Sequence, residues 1–242
     1  MNGSTAFLPI CMALAACAVP AAAEDSGSER QRRFVFFSGV DMSSISVFSW
    51  GGVDAPLFSP NRDLSGAVGR VMGGAGYYDY ERIGAPDNRV MGTVSLGEVM
   101  AGWRHIGTAA CITVLGGFAI EDHTLDVEDP TNPVQGTKSG AKVQAELFWR
   151  PTEKTQVDAS ASYSTVHDSW RVRVAGGRTI WRGWVAGVET EAFGNSESDQ
   201  GRLGLFVSDI GWKRWSFKAA AGVLHDREEF GAYGRLGTDL KF

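Results

Sequence analysis

An all-β fold, an antiparallel transmembrane β-barrel of about twelve strands with both termini periplasmic, is what the sequence predicts, on three observations. In segment 230–242 the residues Phe242, Leu240, Thr238, Leu236, Gly234 and Ala232 share one face, and Lys241, Asp239, Gly237, Arg235 and Tyr233 share the other. That period of two belongs to a strand, and a long strand with one apolar face and a terminal aromatic is what closes such a barrel. Similar runs recur along the chain, separated by turn-rich breaks. The breaks alternate in kind: at one parity they are short and mostly flanked by tryptophan, at the other mostly longer and acidic.

Segment 1–23 has no charged side chain, an apolar centre over 6–19 and a small-residue ending, Ala21-Ala22-Ala23, ahead of Glu24-Asp25. It reads as a secretory signal peptide cleaved after Ala23. Leu14-Ala15-Ala16-Cys17 also has the form of a lipoprotein box, which would leave Cys17 lipidated; both readings export the protein. Residues 24–33 are a short periplasmic lead, and 34–242 are assigned to a single outer-membrane barrel domain. Removal of the signal leaves Cys111 as the one cysteine, so no intramolecular disulfide is expected. The 31 glycines suit long strands that bend and approach closely. The net charge of −5, with no basic cluster, argues against a nucleic-acid partner. No stretch after the signal approaches the roughly 20 apolar residues of a membrane helix.

In order, the predicted strands are 34–41, 46–56, 64–80, 89–103, 108–120, 140–150, 155–166, 170–180, 184–193, 202–210, 215–224 and 230–242. Before residue 120 both faces are often apolar or glycine, as in Cys111-Ile112-Thr113-Val114-Leu115-Gly116-Gly117, and the inward face there is left unassigned. From Ala141 the alternation is clean. Ala141, Val143, Ala145, Leu147 and Trp149 oppose Lys142, Gln144 and Glu146, and Val157, Ala159, Ala161 and Tyr163 oppose Asp158, Ser160 and Ser162. Breaks beside Trp103 and Trp149, between Trp181 and Trp184, and between Trp212 and Trp215 read as periplasmic turns with an aromatic girdle; the break 57–63, of the same parity, has no tryptophan. Breaks 81–88, 121–137, 194–200 and 225–229 read as extracellular loops, with 167–169 a short member of that set. All eight prolines lie in the signal, in breaks or at strand ends. A soluble periplasmic β-sandwich or small barrel would leave the tryptophan flanks and Phe242 unexplained.

The lumen-lining candidates are Lys142, Glu146, Arg171, Arg173, Glu189, Glu191, Arg202, Lys218, Arg235 and Asp239, charged residues on the polar faces of the later strands. Opposite signs on neighbouring strands fit ion pairs that fill and stiffen the interior. They fit, second, a polar pathway for a hydrated solute, since about eight strands already suffice for a filled barrel and twelve leave room. Phe148, Phe206 and Tyr233 are inward aromatics that pack or stack on sugar rings. The outer-loop candidates are the pairs Asp122-His123, His167-Asp168 and His225-Asp226, read as solvated; Ser162 or Ser164 near His167 is the one hint of a lipid-modifying enzyme. Carboxylate-rich loops suit divalent cations that bridge lipopolysaccharide. No nucleotide, zinc or calcium motif is found, so no cofactor, no metal centre and no catalytic residue is assigned. Expected partners are outer-membrane lipid and lipopolysaccharide, and the barrel assembly machinery through Phe242.

Several segments together resemble the BcsS-type cellulose biosynthesis proteins. They are Gly76-Tyr77-Tyr78-Asp79-Tyr80, the run from Gly140 through Lys142, Glu146 and Trp149 to Pro151-Thr152, and His225-Asp226 with Gly231-Ala232-Tyr233-Gly234. The resemblance spans most of the mature chain. It implies a non-catalytic outer-membrane barrel that assists bacterial cellulose biosynthesis, export or anchoring, with cellulose or the synthase and export components as partners. A general oligosaccharide or solute porin is the alternative, and a lipid-modifying barrel enzyme a third.

Overall fold

The strand runs fold as twelve consecutive strands: β1 (Val35–Ser43), β2 (Ser46–Pro56), β3 (Gly66–Arg82), β4 (Ala85–Ile106), β5 (Ala110–Leu125), β6 (Gly136–Thr152), β7 (Thr155–Ser164), β8 (Ser169–Thr179), β9 (Val185–Gly194), β10 (Asp199–Trp212), β11 (Trp215–Asp226) and β12 (Glu229–Lys241). The computed structural model describes residues 34–58, 65–82, 85–226 and 229–241. The expected signal segment 1–23 with the alternative lipobox at Cys17, the expected lead 24–33 and the terminal Phe242 lie outside these residues. Every strand pairs antiparallel with its sequence neighbours, and β12 pairs with β1 in the register Asp41↔Arg235, which closes the sheet and leaves no free edge.

The barrel has a terminal end, where β1 begins and β12 finishes, and a distal end at the opposite rim. At the terminal end the hairpins from β4–β5 onward turn tightly. Trp184 N–H donates to Trp181 C=O at 2.9 Å, and Arg182 and Gly183 hold positive φ of 52° and 85°. That is the type I′ geometry whose twist matches flanking strands.

At the distal end two predicted loops are largely strand. β3 reaches Arg82 and β4 starts at Ala85, while β5 runs to Leu125 and β6 starts at Gly136, so the loop proper is only 126–135. Pairs such as Glu81↔Arg89 and Asp122↔Thr137 continue the ladder there. The ladder is made by backbone groups, and it outruns the apolar pattern that marks a strand in sequence. The wall is consequently uneven in height: β3 and β4 have 17 and 22 residues, but β7 and β9 have 10 each.

Alternation gives the barrel two chemically distinct faces. The outer face carries Val71, Val99, Val114, Phe118, Val143, Val172, Val188, Leu203, Leu205, Val223 and Leu236, all exposed. Trp103, Trp149, Trp181, Trp212 and Trp215 are exposed near the terminal end, and Tyr77, Tyr163 and Phe230 toward the distal end. An apolar band between two aromatic girdles is the surface of a membrane barrel.

The ambiguous early strands have a physical explanation. Val68, Met100 and Leu115 are apolar yet point inward, and they pack together as a small buried cluster in the lumen. A second cluster, Ala175, Val185 and Phe206, faces inward on the opposite wall. Close approach of strands is allowed by inward glycines: a Cβ at Gly187 would strike the Gly176 carbonyl oxygen.

Candidate functional site

Charged side chains on the inward face meet across the lumen in two clusters. In the first, Arg235 on β12 donates from Nη2 to Glu191 Oε2 at 2.5 Å and from Nε to Asp41 Oδ2 at 2.8 Å. Arg202 on β10 donates to Asp41 Oδ1 at 2.6 Å and lies over the rings of Phe193 and Tyr233. Arg173 pairs with Glu189 at 2.5 Å, and the Tyr233 hydroxyl donates to the other oxygen of Glu189 at 2.9 Å. Arg171 reaches Glu191 at 3.5 Å and stacks on Phe193. The pairs expected between β8 and β9 therefore form diagonally, Arg173 to Glu189 and Arg171 to Glu191, rather than straight across the ladder. Buried carboxylates held this way have each lost water and gained charge-assisted hydrogen bonds in return.

The second cluster links β2, β3, β4 and β6. Arg70 grips Asp54 through two hydrogen bonds, 2.7 and 3.0 Å, and reaches across the lumen to Glu146 at 2.5 Å. Arg104 donates to the same Asp54 at 2.9 Å and to Thr113 at 3.1 Å. Above them Lys142 pairs with the buried Glu98. Asp41, Asp54, Arg70, Glu98 and Arg104 were not singled out in the sequence. One signal marks them: on a strand whose other face is apolar and lipid-like, an ionised side chain faces inward.

Between and around the clusters runs a cavity of about 1480 Å³. Its lining extends from Val35, Asp239 and Lys241 at the terminal end to Asp129, Asn132 and Glu197 at the distal end. Of the ten lumen candidates, Lys142, Glu146, Arg171, Arg173, Glu191, Lys218, Arg235 and Asp239 line it. Glu189 and Arg202 are buried behind that surface in ion pairs. Arg171 and Lys218 are the most open to solvent, with side chains 48% and 41% exposed. Trp50, Phe148 and Phe193 supply aromatic faces to the same lining, whereas Phe206 and Tyr233 are buried by packing.

The distal rim separates the three His-Asp pairs. His225 points outward and stacks on Phe230 at 4.6 Å between ring centroids, while Asp226 lines the cavity. In the β7–β8 turn, His167 and Asp168 both adopt positive φ, 54° and 50°, and Ser169 N–H donates to Val166 C=O at 3.2 Å. Asp168 turns outward and accepts from the Tyr163 hydroxyl at 2.9 Å. His167 turns inward and is only 5% exposed, and its ring lies 5.1 Å from that of His123 on β5, the two at 80°. The expectation of solvated loop histidines is thus corrected for these two: strand register carries His123 to the inner face, and the left-handed turn tips His167 over β6.

Two glycines make the approach. The Tyr78 ring crosses β4 over Gly92 so that its hydroxyl lies 3.0 Å from His123 Nδ1, and the turn crosses β6 over Gly140. Burial, reinforced by His123 and Lys138 and opposed by Glu121, holds the His167 imidazole below its ordinary pKa. Ser164 is buried and its hydroxyl accepts from Val166 N–H, and neither ring nitrogen of His167 has a hydrogen-bond partner. A Ser-His-Asp relay is therefore not assembled here. Among the described residues, the ligand atoms of Glu121, His123 and His167 lie within 4.8 Å of one another, close enough to share a metal ion.

Similar solved structures are outer-membrane barrels. The transport unit of the autotransporter AIDA-I from Escherichia coli superposes with a TM-score of 0.52 at 9% identity, over 91% of this chain and 93% of that one. The β domain of the Bordetella autotransporter BrkA gives 0.52 at 10% identity, over 88% and 100%. The translocator domain of NalP from Neisseria meningitidis gives 0.50 at 9% identity, over 90% of each. No curated protein sequence matches the chain. The family described as cellulose biosynthesis protein BcsS matches over residues 35–242, the whole of the barrel. By that match the chain belongs to the BcsS family of cellulose biosynthesis proteins.

Proposed function

We propose that the protein is a non-catalytic outer-membrane barrel that assists cellulose production by giving a glucan chain or its oligosaccharides a hydrated path. The observation that carries this reading is the cavity lined from one rim to the other by charged, hydroxyl and aromatic groups. Sugars in water are recognised by that mixture, hydroxyls by charged and amide groups and ring faces by aromatics. The apolar outer face between aromatic girdles supports the membrane location, and family membership supports the link to cellulose synthase and export components. The unpartnered ring of His167 and the outward turn of Asp168 leave the rim without a Ser-His-Asp relay, which supports a reading other than a lipid-modifying enzyme.

Single-channel recording of the refolded barrel in a planar bilayer tests the proposal. Stable conductance with current blocked by cello-oligosaccharides is the expected result, and Arg171→Gln with Lys218→Gln should weaken the block. An inserted barrel that stays silent would overturn the path. Conductance indifferent to the sugar would make the barrel a general solute pore instead.

A further inference from the structure

The group at the distal rim stands apart from the paired arginines of the lumen, and its hydrogen bonds leave the His167 ring out. His123 Nδ1 is engaged by the Tyr78 hydroxyl, which leaves Nε2 directed to Glu121, 3.5 Å from Oε2. Two atoms that each sit about 2.0–2.2 Å from a tetrahedral zinc ion are roughly 3.3 Å apart. The observed spacing is thus nearer to that of two ligands sharing a cation than to that of a strong hydrogen bond. His167 supplies the second, independent observation. It is 95% buried, both ring nitrogens lack a partner, and one of its nitrogens lies within 4.8 Å of the ligand atoms of Glu121 and His123. An imidazole buried with nothing to bond is costly unless something occupies the space between the rings.

We propose that Glu121, His123 and His167 bind a divalent transition cation of the zinc type, with Tyr78 as the positioning residue that orients His123. Two neutral imidazoles and one carboxylate are a donor set suited to that ion. Glu121 and His123 line the cavity and His167 does not, so a cation held by them would be reached from the lumen side. The cation would tie β5 to the β7–β8 turn across the intervening β6. This site is independent of whether the lumen conducts.

The test is titration of the refolded, chelator-treated barrel with Zn²⁺ by calorimetry and with Co²⁺ by visible absorption. One saturable site and a tetrahedral cobalt spectrum are expected. His167→Asn, chosen because asparagine accepts the left-handed turn, should weaken binding by more than the roughly 10–100-fold loss typical of an outer partner, and Tyr78→Phe should show a loss of about that size. His225→Gln should bind as the parent does. Heat-dependent gel migration confirms the fold of each variant, and Glu121→Gln carries the same comparison should the turn variant not fold. Absence of saturable binding by the parent, or unchanged affinity in a folded His167→Asn or Glu121→Gln barrel, would overturn the site.

Discussion

Arg235 shows what the individual lumen charges do. Its guanidinium bonds Asp41 and Glu191 at once, so it satisfies two carboxylates that have been taken out of water. Arg235→Met should therefore destabilise the barrel by about 3–5 kcal/mol, because it strands buried charge. Urea unfolding in lipid vesicles, followed by tryptophan fluorescence, measures it. Lys218→Met should cost less than about 1 kcal/mol in the same assay, since Lys218 and Asp239 are 3.8 Å apart and 41% and 31% exposed. A large loss at Lys218 would mean that this exposed pair carries more of the fold than its distance suggests. Residues of the first cluster were legible where alternation was clean, from Ala141 onward. Asp41 and Arg70 were not, because glycine and apolar neighbours on both faces hid the parity, although their charge alone was sufficient to point them inward.

Strands respond to substitution according to the face a residue presents. Gly187 on β9 and Gly176 on β8 are near neighbours with opposite surroundings: a Cβ at Gly187 meets backbone, and one at Gly176 meets nothing within 4 Å. Gly187→Ala should destabilise by about 1–3 kcal/mol through overpacking. Gly176→Ala should be neutral, or stabilising by about 0.5–1 kcal/mol through lower chain entropy. The same unfolding assay compares them, and an equal loss in both would refute the close approach of β8 and β9. Element identity was legible because the period of two and the turn residues agree along most of the chain. The distal strand ends were not, since Glu81, Glu121 and Asp122 look like loop residues but sit in a ladder that needs only backbone. The meeting of His123 with His167 was also illegible: it depends on the register of β5, β6 and β7 together and on the glycine at 140 under the turn.

For the molecule as a whole, direction in the membrane follows from which rim carries the termini. Reading both termini as periplasmic puts the loop 126–135 outside the cell and the β6–β7 turn inside. Val127→Cys, an exposed loop position, should then label on intact cells with an impermeant maleimide, and Lys154→Cys only after permeabilisation, both in a Cys111→Ser background. The reverse pattern would invert the barrel.

The unequal strand lengths bear on this end of the molecule. At about 3.3 Å per residue, β3 and β4 rise well past what a bilayer needs, while β7 and β9 scarcely exceed it. The distal mouth is consequently a spout rather than a ring, walled high on one flank and low on the other. On the proposed path, a glucan leaving by this mouth would find its lower exit over the short strands, along the surface the barrel stands in.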